Sequence, residues 1–284
     1  MDHNKITQAE KAKKLYDLHH TGKLMILPNI WNVLGAKILE DTGYTAIATA
    51  SAAVAYSNGY NDGEQIPFST VLQILTEIAN SVNIPVTADI ESGYAENETE
   101  LEHNIRQFIE TGIAGINIED TDKRTKALLP THLQCERIST IKKVARNMNV
   151  SLFINARTDT FVHAQMFHSS QQLIDETMQR GKAYKDAGAD CFYPILMNQQ
   201  EHIKIIVEAL NMPLNILMMP GIPGLKILEQ MGVARVSLGP GYLKYAVKAM
   251  KDIAVKLQSF EGVEEITGNN ITSDYLKHLV LATS

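Results

Sequence analysis

The sequence predicts an α/β protein folded as a (β/α)8 barrel of the TIM type. Short apolar runs rich in Ile, Val and Ala recur along the chain without strict polar alternation, which is typical of parallel strands buried on both faces. Segments of helical period separate these runs, and several end at a glycine that the next apolar run follows at once. Eight such units fit a closed barrel better than the alternative, an open doubly wound sheet.

The predicted elements alternate along the chain. Strands are predicted at residues 24–30, 46–51, 84–91, 115–120, 152–157, 190–195, 213–219 and 235–239. Helices with apolar residues three or four positions apart are predicted at residues 32–41, 67–80, 98–110, 132–148, 171–186, 199–210, 225–230 and 242–257. A leading helix at residues 7–20 is expected to close the bottom of the barrel. A trailing helix near residues 273–281 is expected to pack on a neighbouring subunit through Tyr275, Leu276, Leu279 and Val280.

The length and composition are those of one globular domain. We expect a single domain over residues 1–284, with an N-terminal helix in 1–22, the barrel in 23–258 and a C-terminal helical extension in 259–284. The net charge of −6 argues against nucleic-acid binding, which needs a basic face. No apolar stretch is long enough for a membrane span, and the N-terminus is polar. With only Cys135 and Cys191, we expect a reduced, cytoplasmic protein without membrane partners.

Charged residues lie at the C-terminal ends of three successive predicted strands. Asp89 and Glu91 end the third strand, Glu119 lies at the end of the fourth, and Arg157 ends the fifth. Buried unpaired charge is costly, so such groups need a cation, a partner or a ligand. Barrel enzymes keep their active sites at this rim. The pattern therefore predicts a divalent metal held by carboxylates beside an arginine.

The spacing and chemistry of these groups suggest a role for each. Asp89 and Glu91 are two apart on one predicted strand, so both should point to the same side. Mg²⁺ often takes one or two direct carboxylates and keeps several waters, so Asp89 is the expected direct ligand, with Glu91 and Glu119 binding through water. The planar fork of Arg157 suits a substrate carboxylate. The alternative is a structural role, such as a salt bridge of Arg157 with Glu119 or Asp159.

Two further positions are weaker candidates from the residues alone. Ser51 ends the second predicted strand among alanines, where backbone N–H groups could approach an oxyanion, and a plain buried serine is the alternative. Asp62 precedes a glycine in the loop after that strand, which by itself predicts an ordinary turn. No lysine lies within a predicted strand core, which argues against a Schiff-base aldolase.

Six short motifs follow one another along the predicted barrel. They are Pro-Asn-Ile-Trp-Asn at 28–32, Gly-Tyr-Asn-Asp-Gly-Glu at 59–64, Ala-Asp-Ile-Glu-Ser-Gly-Tyr at 88–94, Ile-Glu-Asp at 118–120, Asn-Ala-Arg-Thr-Asp at 155–159 and Ser-Leu-Gly-Pro at 237–240. In this order they resemble the isocitrate lyase/phosphoenolpyruvate mutase superfamily over residues 28–258. The combination is specific, whereas any one motif alone is weak.

The resemblance implies a site and an assembly. It implies Mg²⁺, or Mn²⁺ in its place, and a small 2-oxo or 2-hydroxy carboxylate that reacts through an enolate. The metal-site residues that it implies are Asp89 directly and Asp62, Glu91 and Glu119 through water. The expected substrate-binding residues are Ser51, Ala52, Gly93 and Arg157. It also implies a homotetramer, a dimer of dimers in which the last barrel helix is exchanged between subunits.

The chain departs from this superfamily in the loop after Glu119. Isocitrate and methylisocitrate lyases carry a Lys-(Lys/Arg)-Cys-Gly-His motif there, whose cysteine is the catalytic acid/base, and the phosphonomutases use a lysine and an asparagine. Residues 120–128 contain no cysteine, histidine or asparagine, but they contain Lys123, Arg124 and Lys126. These basic residues are gate-loop candidates, with a solvated basic turn as the alternative. The expected catalytic residues are Asp62, Glu119, Lys123 and Arg157.

Three functions remain as hypotheses at this point. The first is a Mg²⁺-dependent lyase or decarboxylase that cleaves a C–C bond next to a 2-oxo or 2-hydroxy acid. The alternative is P–C bond chemistry, as in phosphoenolpyruvate or carboxyphosphonoenolpyruvate mutases and phosphonopyruvate hydrolases, and the missing asparagine argues against it. The third is a barrel that binds a metabolite without turnover. The missing loop acid motivates this third hypothesis, and the retained carboxylates argue against it.

Overall fold

The computed structural model describes residues 6–281, which form a closed barrel of parallel strands surrounded by helices. The strands are β1 (Met25–Leu27), β2 (Asn29–Ile30), β3 (Ile47–Thr49), β4 (Val86–Asp89), β5 (Gly115–Glu119), β6 (Phe153–Thr158), β7 (Cys191–Pro194), β8 (Asn215–Leu217) and β9 (Arg235–Ser237). β1 and β2 are halves of one barrel strand, which Pro28 interrupts because proline has no N–H to donate. Eight strand positions therefore encircle the barrel, and the predicted (β/α)8 fold is confirmed. The ends of the expected domain, residues 1–5 and 282–284, lie outside the described residues.

Backbone pairing closes the barrel in two segments. One segment has the strand order β1-β9-β8, and the other has the order β2-β3-β4-β5-β6-β7. All the strand pairs are parallel. The segments join at Pro28 on one side and through an isolated bridge between Phe192 and Leu214 on the other. The buried Ile, Ala, Val and Phe side chains of the strands belong to one hydrophobic core.

The helices follow the strands and cover the outside of the barrel. They are α1 (Gln8–His19), α2 (Val33–Asp41), α3 (Ser51–Ser57), α4 (Phe68–Ser81), α5 (Glu98–Glu110), α6 (Thr131–Asn147), α7 (Ser170–Asp186), α8 (Gln200–Leu210), α9 (Leu225–Gln230), α10 (Gly241–Gln258), α11 (Val263–Thr267) and α12 (Ser273–Leu281). Side-chain oxygens of Asn32, Asn97 and Ser169 accept backbone N–H groups at the starts of α2, α5 and α7, which fixes where these helices begin. Within residues 6–281, no helix combines the length and the apolar character that a membrane crossing requires.

The leading helix α1 covers the N-terminal ends of β5 and β6, as predicted. Leu15 is fully buried, and its Cδ2 lies so close to Gly115, the first residue of β5, that a Cβ there would be 2.8 Å away. The His19 ring stacks on Phe153, the first residue of β6, with 4.1 Å between ring centroids. This end of the barrel is therefore closed by α1, and the opposite end is left open for a site.

Two predicted strand ends are wrong. The second predicted strand stops at Thr49, and Ser51 instead begins α3, a helix that follows from the strong helix propensity of the alanines after it. The third predicted strand stops at Asp89. Glu91 has a φ of 53°, a left-handed conformation that an extended strand does not contain. The alternation argument that put Asp89 and Glu91 on one side of a strand therefore does not hold.

The C-terminal helices differ in how they are covered. No residue of α10 is buried among the described residues, and Tyr245 and Met250 are 76% and 62% exposed. In contrast, Leu279 of α12 is buried within the chain itself, where α12 packs against α2 and Tyr275 donates a hydrogen bond to Asp41. The expectation that Leu279 packs on a neighbouring subunit is therefore wrong. The expected exchange of α10 between subunits stays a prediction.

Candidate active site

A cavity of about 260 Å³ opens at the C-terminal ends of the strands. Five of the residues singled out in the sequence line it, namely Ser51, Ala52, Asp62, Asp89 and Arg157. Asn117 of β5, Tyr193 of β7 and Ser237 of β9 also contribute to its wall. Asn117 and Tyr193 lie inside apolar runs and match no local pattern of a site, whereas Ser237 begins the motif at residues 237–240. Asn29 of β2 and Leu217 of β8 line it as well, so the barrel brings residues from seven of its eight strand positions to one small site.

Asp89 ends β4 and presents its carboxylate to this cavity. Its Oδ2 accepts hydrogen bonds from the Ser51 hydroxyl at 3.2 Å and the Ser51 backbone N–H at 3.4 Å. Its own N–H donates to the Thr49 hydroxyl at 3.2 Å, which ties the end of β4 to β3. Among residues 6–281, no lysine or arginine forms an ion pair with Asp89. The carboxylate is thus held in place by neutral donors and keeps its charge available for a cation.

Arg157 near the end of β6 is clamped by two acids. Its Nη1 lies 2.9 Å from Glu119 Oε2, and its Nε and Nη2 lie 2.6 and 3.1 Å from the two Asp159 oxygens. Burial alone would lower the pKa of Arg157, but the charges of Glu119 and Asp159 raise it well above its usual value. Both salt bridges that the sequence left as alternatives are therefore present, and Arg157 still lines the cavity.

Lys123 reaches inward from the loop after β5 and bridges two carboxylates. Its Nζ lies 2.7 Å from Glu91 Oε2 and 2.6 Å from Glu119 Oε1. Burial alone would lower the pKa of Lys123, but Glu119 and Glu91 raise it above its usual value. Burial also raises the pKa of Glu91, and it raises the pKa of Glu119 to about 7 despite the opposing charge of Arg157. Lys123 is therefore a resident cation of the site.

The loop that carries Lys123 is fixed at its base and capped within. The N–H of Leu129 donates to the Asp120 carbonyl at 2.8 Å, and Arg180 Nη1 donates to the Leu129 carbonyl at 2.9 Å. The Asp122 carboxylate accepts the N–H groups of residues 124 and 125. Of the three basic candidates in this loop, only Lys123 turns inward. The side chains of Arg124 and Lys126 are exposed.

Asp120, next to Glu119, anchors this loop from the core. The Asp120 side chain is fully buried, and it accepts hydrogen bonds from Thr158, Tyr184, Arg180 and the Asp159 backbone N–H at 2.7–3.0 Å. Because Asp159 in turn holds Arg157, this anchor also positions the arginine of the cavity.

Glu64, the last residue of the motif at 59–64, has a structural role that the sequence did not predict. Its carboxylate accepts hydrogen bonds from the Ser92 hydroxyl at 2.6 Å and from the N–H groups of Ser92 and Tyr94, and its own N–H donates to Glu91 at 2.9 Å. It thereby fastens the loop that contains Asp62 to the turn after β4. Gly93 lies in that turn with a φ of 89°, outside the cavity lining, so its expected contact with substrate stays a prediction.

The donor set of the cavity suits a water-rich magnesium site. Asp62 and Asp89 both line the cavity, and Mg²⁺ commonly uses one or two carboxylates while keeping several waters. Residues 6–281 contain no cluster of three or more Asp, Glu, His or Cys side chains arranged as an ion cage. Glu91 and Glu119 are instead engaged by Lys123 and Arg157. The residues present therefore fit a metal held by few protein ligands.

Residues 15–258 match the family model described as phosphoenolpyruvate phosphomutase. The chain belongs to this phosphoenolpyruvate mutase family. The predicted resemblance is thereby confirmed over nearly the span that the motifs indicated. The wider superfamily contains isocitrate, 2-methylisocitrate and 2,3-dimethylmalate lyases as well as the mutase.

Two sequence relatives illustrate the range of this phosphoenolpyruvate mutase family and its superfamily. The chain is 33% identical over 224 residues to an uncharacterised protein of Mycobacterium tuberculosis, covering 79% of this chain and 81% of the relative. It is 24% identical over 200 residues to 2,3-dimethylmalate lyase of Eubacterium barkeri, covering 70% of this chain and 68% of the relative.

A solved structure supports the barrel. Phosphonopyruvate hydrolase, crystallised with oxalate and Mg²⁺, superposes with a TM-score of 0.83 over 98% of this chain and 96% of that chain. The two sequences are 21% identical. At this identity, the likeness establishes the shared fold.

Proposed function

We propose that this family member is a Mg²⁺-dependent lyase or decarboxylase that cleaves a C–C bond next to a small 2-oxo or 2-hydroxy carboxylate, through an enolate. One observation carries the proposal: the Asp89 carboxylate and the Arg157 guanidinium line the same cavity of about 260 Å³. The first group suits a metal ion, the second suits a substrate carboxylate, and the volume suits a molecule of few atoms. Mn²⁺ could replace Mg²⁺ in such an oxygen-ligand site.

Substrate binding in this proposal rests on donors that the protein does not use itself. The guanidinium of Arg157 has five N–H donors, and its bonds to Glu119 and Asp159 account for three. Two donors remain for a bidentate contact with a carboxylate. Ser51 and Ala52 also line the cavity, although the Ser51 hydroxyl and N–H already donate to Asp89. The clamp on Arg157 keeps this geometry fixed before the substrate arrives.

The chemistry combines the metal with a fixed positive charge. Asp89 would hold the Mg²⁺ ion directly, and Asp62, Glu91 and Glu119 would accept hydrogen bonds from its waters, the last two with the lone pairs that Lys123 and Arg157 leave open. The metal would supply polarisation of the substrate oxygen and stabilisation of the negative charge that develops as the bond breaks. Lys123 stays protonated between Glu91 and Glu119, so it serves as a cation and proton donor and not as a base. Arg157 holds the carboxylate of the product in place while the enolate is protonated.

P–C bond chemistry is the second candidate. The inward-facing Lys123 favours it, because a lysine in this loop is a feature of the phosphonomutases that the chain resembles. The matching family model is described as phosphoenolpyruvate phosphomutase, and phosphonopyruvate hydrolase shares the fold. The absence of asparagine from residues 120–128 argues against this candidate. A barrel that binds a metabolite without turnover is the third, and the intact carboxylate set argues against it.

A substrate panel separates the three candidates. The purified protein is incubated with Mg²⁺ and oxaloacetate, 2-methylisocitrate, substituted malates or phosphonopyruvate, and pyruvate, CO2 and phosphate are followed. Release of pyruvate or CO2 from a carbon substrate supports the lyase. Phosphorus-containing products from phosphonopyruvate support P–C chemistry and contradict the lyase. Saturable binding across the panel without turnover supports the metabolite-binding barrel and contradicts both enzymes.

The assembly in this proposal is a homotetramer, a dimer of dimers that exchange α10, with a small carboxylate as substrate and a cytoplasmic location. The support for the assembly is the apolar surface of α10, where Tyr245, Val247 and Met250 are exposed in the single chain. Among the residues that the structure describes, none in α10 is buried in the single chain, and exposed apolar surface of this kind marks a site of contact with another chain.

A further inference from the structure

Arg235 is a fully buried cation inside the barrel, and nothing in the proposed mechanism uses it. It is the first residue of β9, and its side chain is 0% exposed. Its Nε donates to the Ser237 hydroxyl at 3.0 Å, and its Nη2 lies 3.4 Å from Asn117 Oδ1. Its Nη1 has no hydrogen-bond partner. Within residues 6–281, no carboxylate forms an ion pair with it.

The surroundings of Arg235 are polar but almost uncharged. Asn155 donates to the Asn117 oxygen that Arg235 also contacts, and the Ser237 hydroxyl donates to Asn215 at 3.1 Å. These side chains form one chain of neutral dipoles across the barrel interior. A buried charge that meets only neutral dipoles keeps a substantial desolvation cost. A guanidinium stays protonated in proteins, so the cost is not relieved by loss of the proton.

Of the described ionisable groups near Arg235, only one carries a negative charge that acts on it. Burial raises the pKa of Cys191 to about 12 and raises the pKa of Tyr193 above its usual value, so both stay neutral. Burial and then the charge of Arg235 lower the pKa of His19 to about 3, so His19 is neutral as well. Asp89 is the carboxylate whose charge acts on Arg235. That carboxylate lines the cavity, so the negative charge that acts on Arg235 comes from the side of the cavity.

Arg235 lies one side chain beneath the floor of the cavity. Asn117 and Ser237, its two hydrogen-bond partners, both line the cavity. The acids around this site outnumber the other cations. The acids are Asp62, Asp89, Glu91, Glu119 and Asp159, and the cations are Lys123, Arg157 and Lys244. A bound Mg²⁺ would bring this balance only to neutrality, so a ligand with two negative charges needs further positive charge close by.

We propose that Arg235 is a specificity-determining residue, whose charge acts through Asn117 and Ser237 to make the cavity selective for a dianionic ligand over a monoanion of the same shape. This inference rests on the proposed function and names its substrate class, a small molecule that carries two negative charges. Arg235 does not contact the substrate in this arrangement. It is a positioning residue that orients the side chains of Asn117 and Ser237 and adds a positive electrostatic potential to the cavity. The interior is shielded from solvent, so the effect is not screened by salt as a surface charge would be.

Two variants of the full-length protein test this role. Arg235→Gln removes the charge and keeps a hydrogen-bonding group for Ser237, and Arg235→Met removes the charge and keeps an unbranched apolar stem. Neither leaves a buried unpaired charge behind, so both are expected to fold, which circular dichroism checks. Cys191→Ser is the control, because Cys191 is a fully buried interior residue that stays neutral.

The measured quantity is the ratio of dissociation constants for oxalate, a dianion, and oxamate, its monoanionic analogue, by calorimetry with Mg²⁺ present. In both Arg235 variants we expect the preference for oxalate to fall by at least about tenfold, because a unit charge is lost from a low-dielectric site. The control should keep the wild-type ratio. A structural role for Arg235 would weaken both ligands alike, and an unchanged ratio in either variant overturns the proposal. If the wild-type protein binds neither ligand, the proposed function itself is contradicted, which is a different outcome.

Discussion

Glu119 links the loop of the site to its substrate-binding arginine. One of its carboxylate oxygens holds Lys123 and the other holds Arg157, at 2.6 and 2.9 Å. A single acid therefore positions two cations that come from different elements. A movement of the loop after β5 would therefore shift Arg157 through this carboxylate. Glu119 thus couples the position of the loop to the position of the substrate-binding arginine.

The metal assignment is tested at Asp89. In Asp89→Ala, we expect the affinity for Mg²⁺ to fall by more than about 100-fold, since the strand-end carboxylate that lines the cavity without an ion pair is lost. Titration calorimetry with Mg²⁺ measures this directly. Asp175→Ala on the exposed face of α7 is the matched control and should bind Mg²⁺ as the wild type does. Unchanged affinity in Asp89→Ala would show that the metal binds elsewhere.

His19 makes stability depend on pH. Burial, and then Arg235, lower the pKa of His19 in the folded chain to about 3, while the unfolded chain takes up a proton near the ordinary value of 6.5. Between these values the unfolded state binds more protons, so the free energy of unfolding rises with pH, by up to about 1.4 kcal/mol per unit. The contribution is complete above about pH 6.5 and is lost as the pH falls towards 3.

Urea unfolding between pH 4 and 7 measures the contribution of His19. His19→Gln should flatten the dependence of the unfolding free energy on pH, because the titrating group is gone. His20→Gln, one position along and exposed, should leave the slope as in the wild type. Parallel slopes for His19→Gln and wild type would contradict the assignment.

At the level of elements, the loop at residues 121–129 depends on a buried ion pair. Arg180 lies 3.0 Å from Asp120 and also bonds the Leu129 carbonyl. Arg180→Met leaves Asp120 buried without its cation, which we expect to lower the free energy of unfolding by roughly 3 kcal/mol or more. Arg106→Met, an exposed arginine on α5, should change it by less than about 0.5 kcal/mol. Urea titrations of both variants measure the free energy of unfolding. A loss below about 1 kcal/mol for Arg180→Met would mean that the other donors to Asp120 are enough to stabilise its buried charge.

The strands of the barrel and most of its helices are predictable from the sequence, because parallel strands buried on both faces are continuous apolar runs. The short helix α3 was missed because Ser51 and the alanines after it continue an apolar run whose period is too short to separate strand from helix. The left-handed Glu91 was missed because a positive φ at a residue other than glycine is set by tertiary contacts, here with Glu64.

The sequence predicts which residues belong to the site, but it does not predict which of them form ion pairs with one another. The strand-end acids and Arg157 could be chosen because charge at the end of an apolar run is unusual. That Lys123 sits between Glu91 and Glu119 depends on how the loop folds back, which no local pattern encodes. Arg235 was overlooked, although a charged residue between Ala234 and Val236 at the start of an apolar run was a usable signal.

At the level of the whole molecule, the exposed face of α10 bears on the assembly. Replacing Tyr245 and Met250 by Glu should break contacts between subunits and shift the protein to a smaller species, because charge is costly in an apolar interface. Multi-angle light scattering measures the mass, with Lys251→Glu on the same helix as the control. A wild-type protein that is monomeric at micromolar concentration would contradict the tetramer, and a double variant of unchanged mass would contradict the role of α10.

The interruption at Pro28 and the isolated bridge between Phe192 and Leu214 divide the barrel wall into unequal parts. The larger part carries Asp89, Glu119 and Arg157, and the smaller part, made of β8, β9 and β1, carries Arg235 and Ser237. Parts of a fold that share few backbone hydrogen bonds can open independently as separate cooperative units. Residues of both units line the cavity, so a ligand bound there links the two units across both junctions. Ligand binding would then reduce the local opening of the two parts of the barrel, and part of the binding free energy would be measured as this added stability.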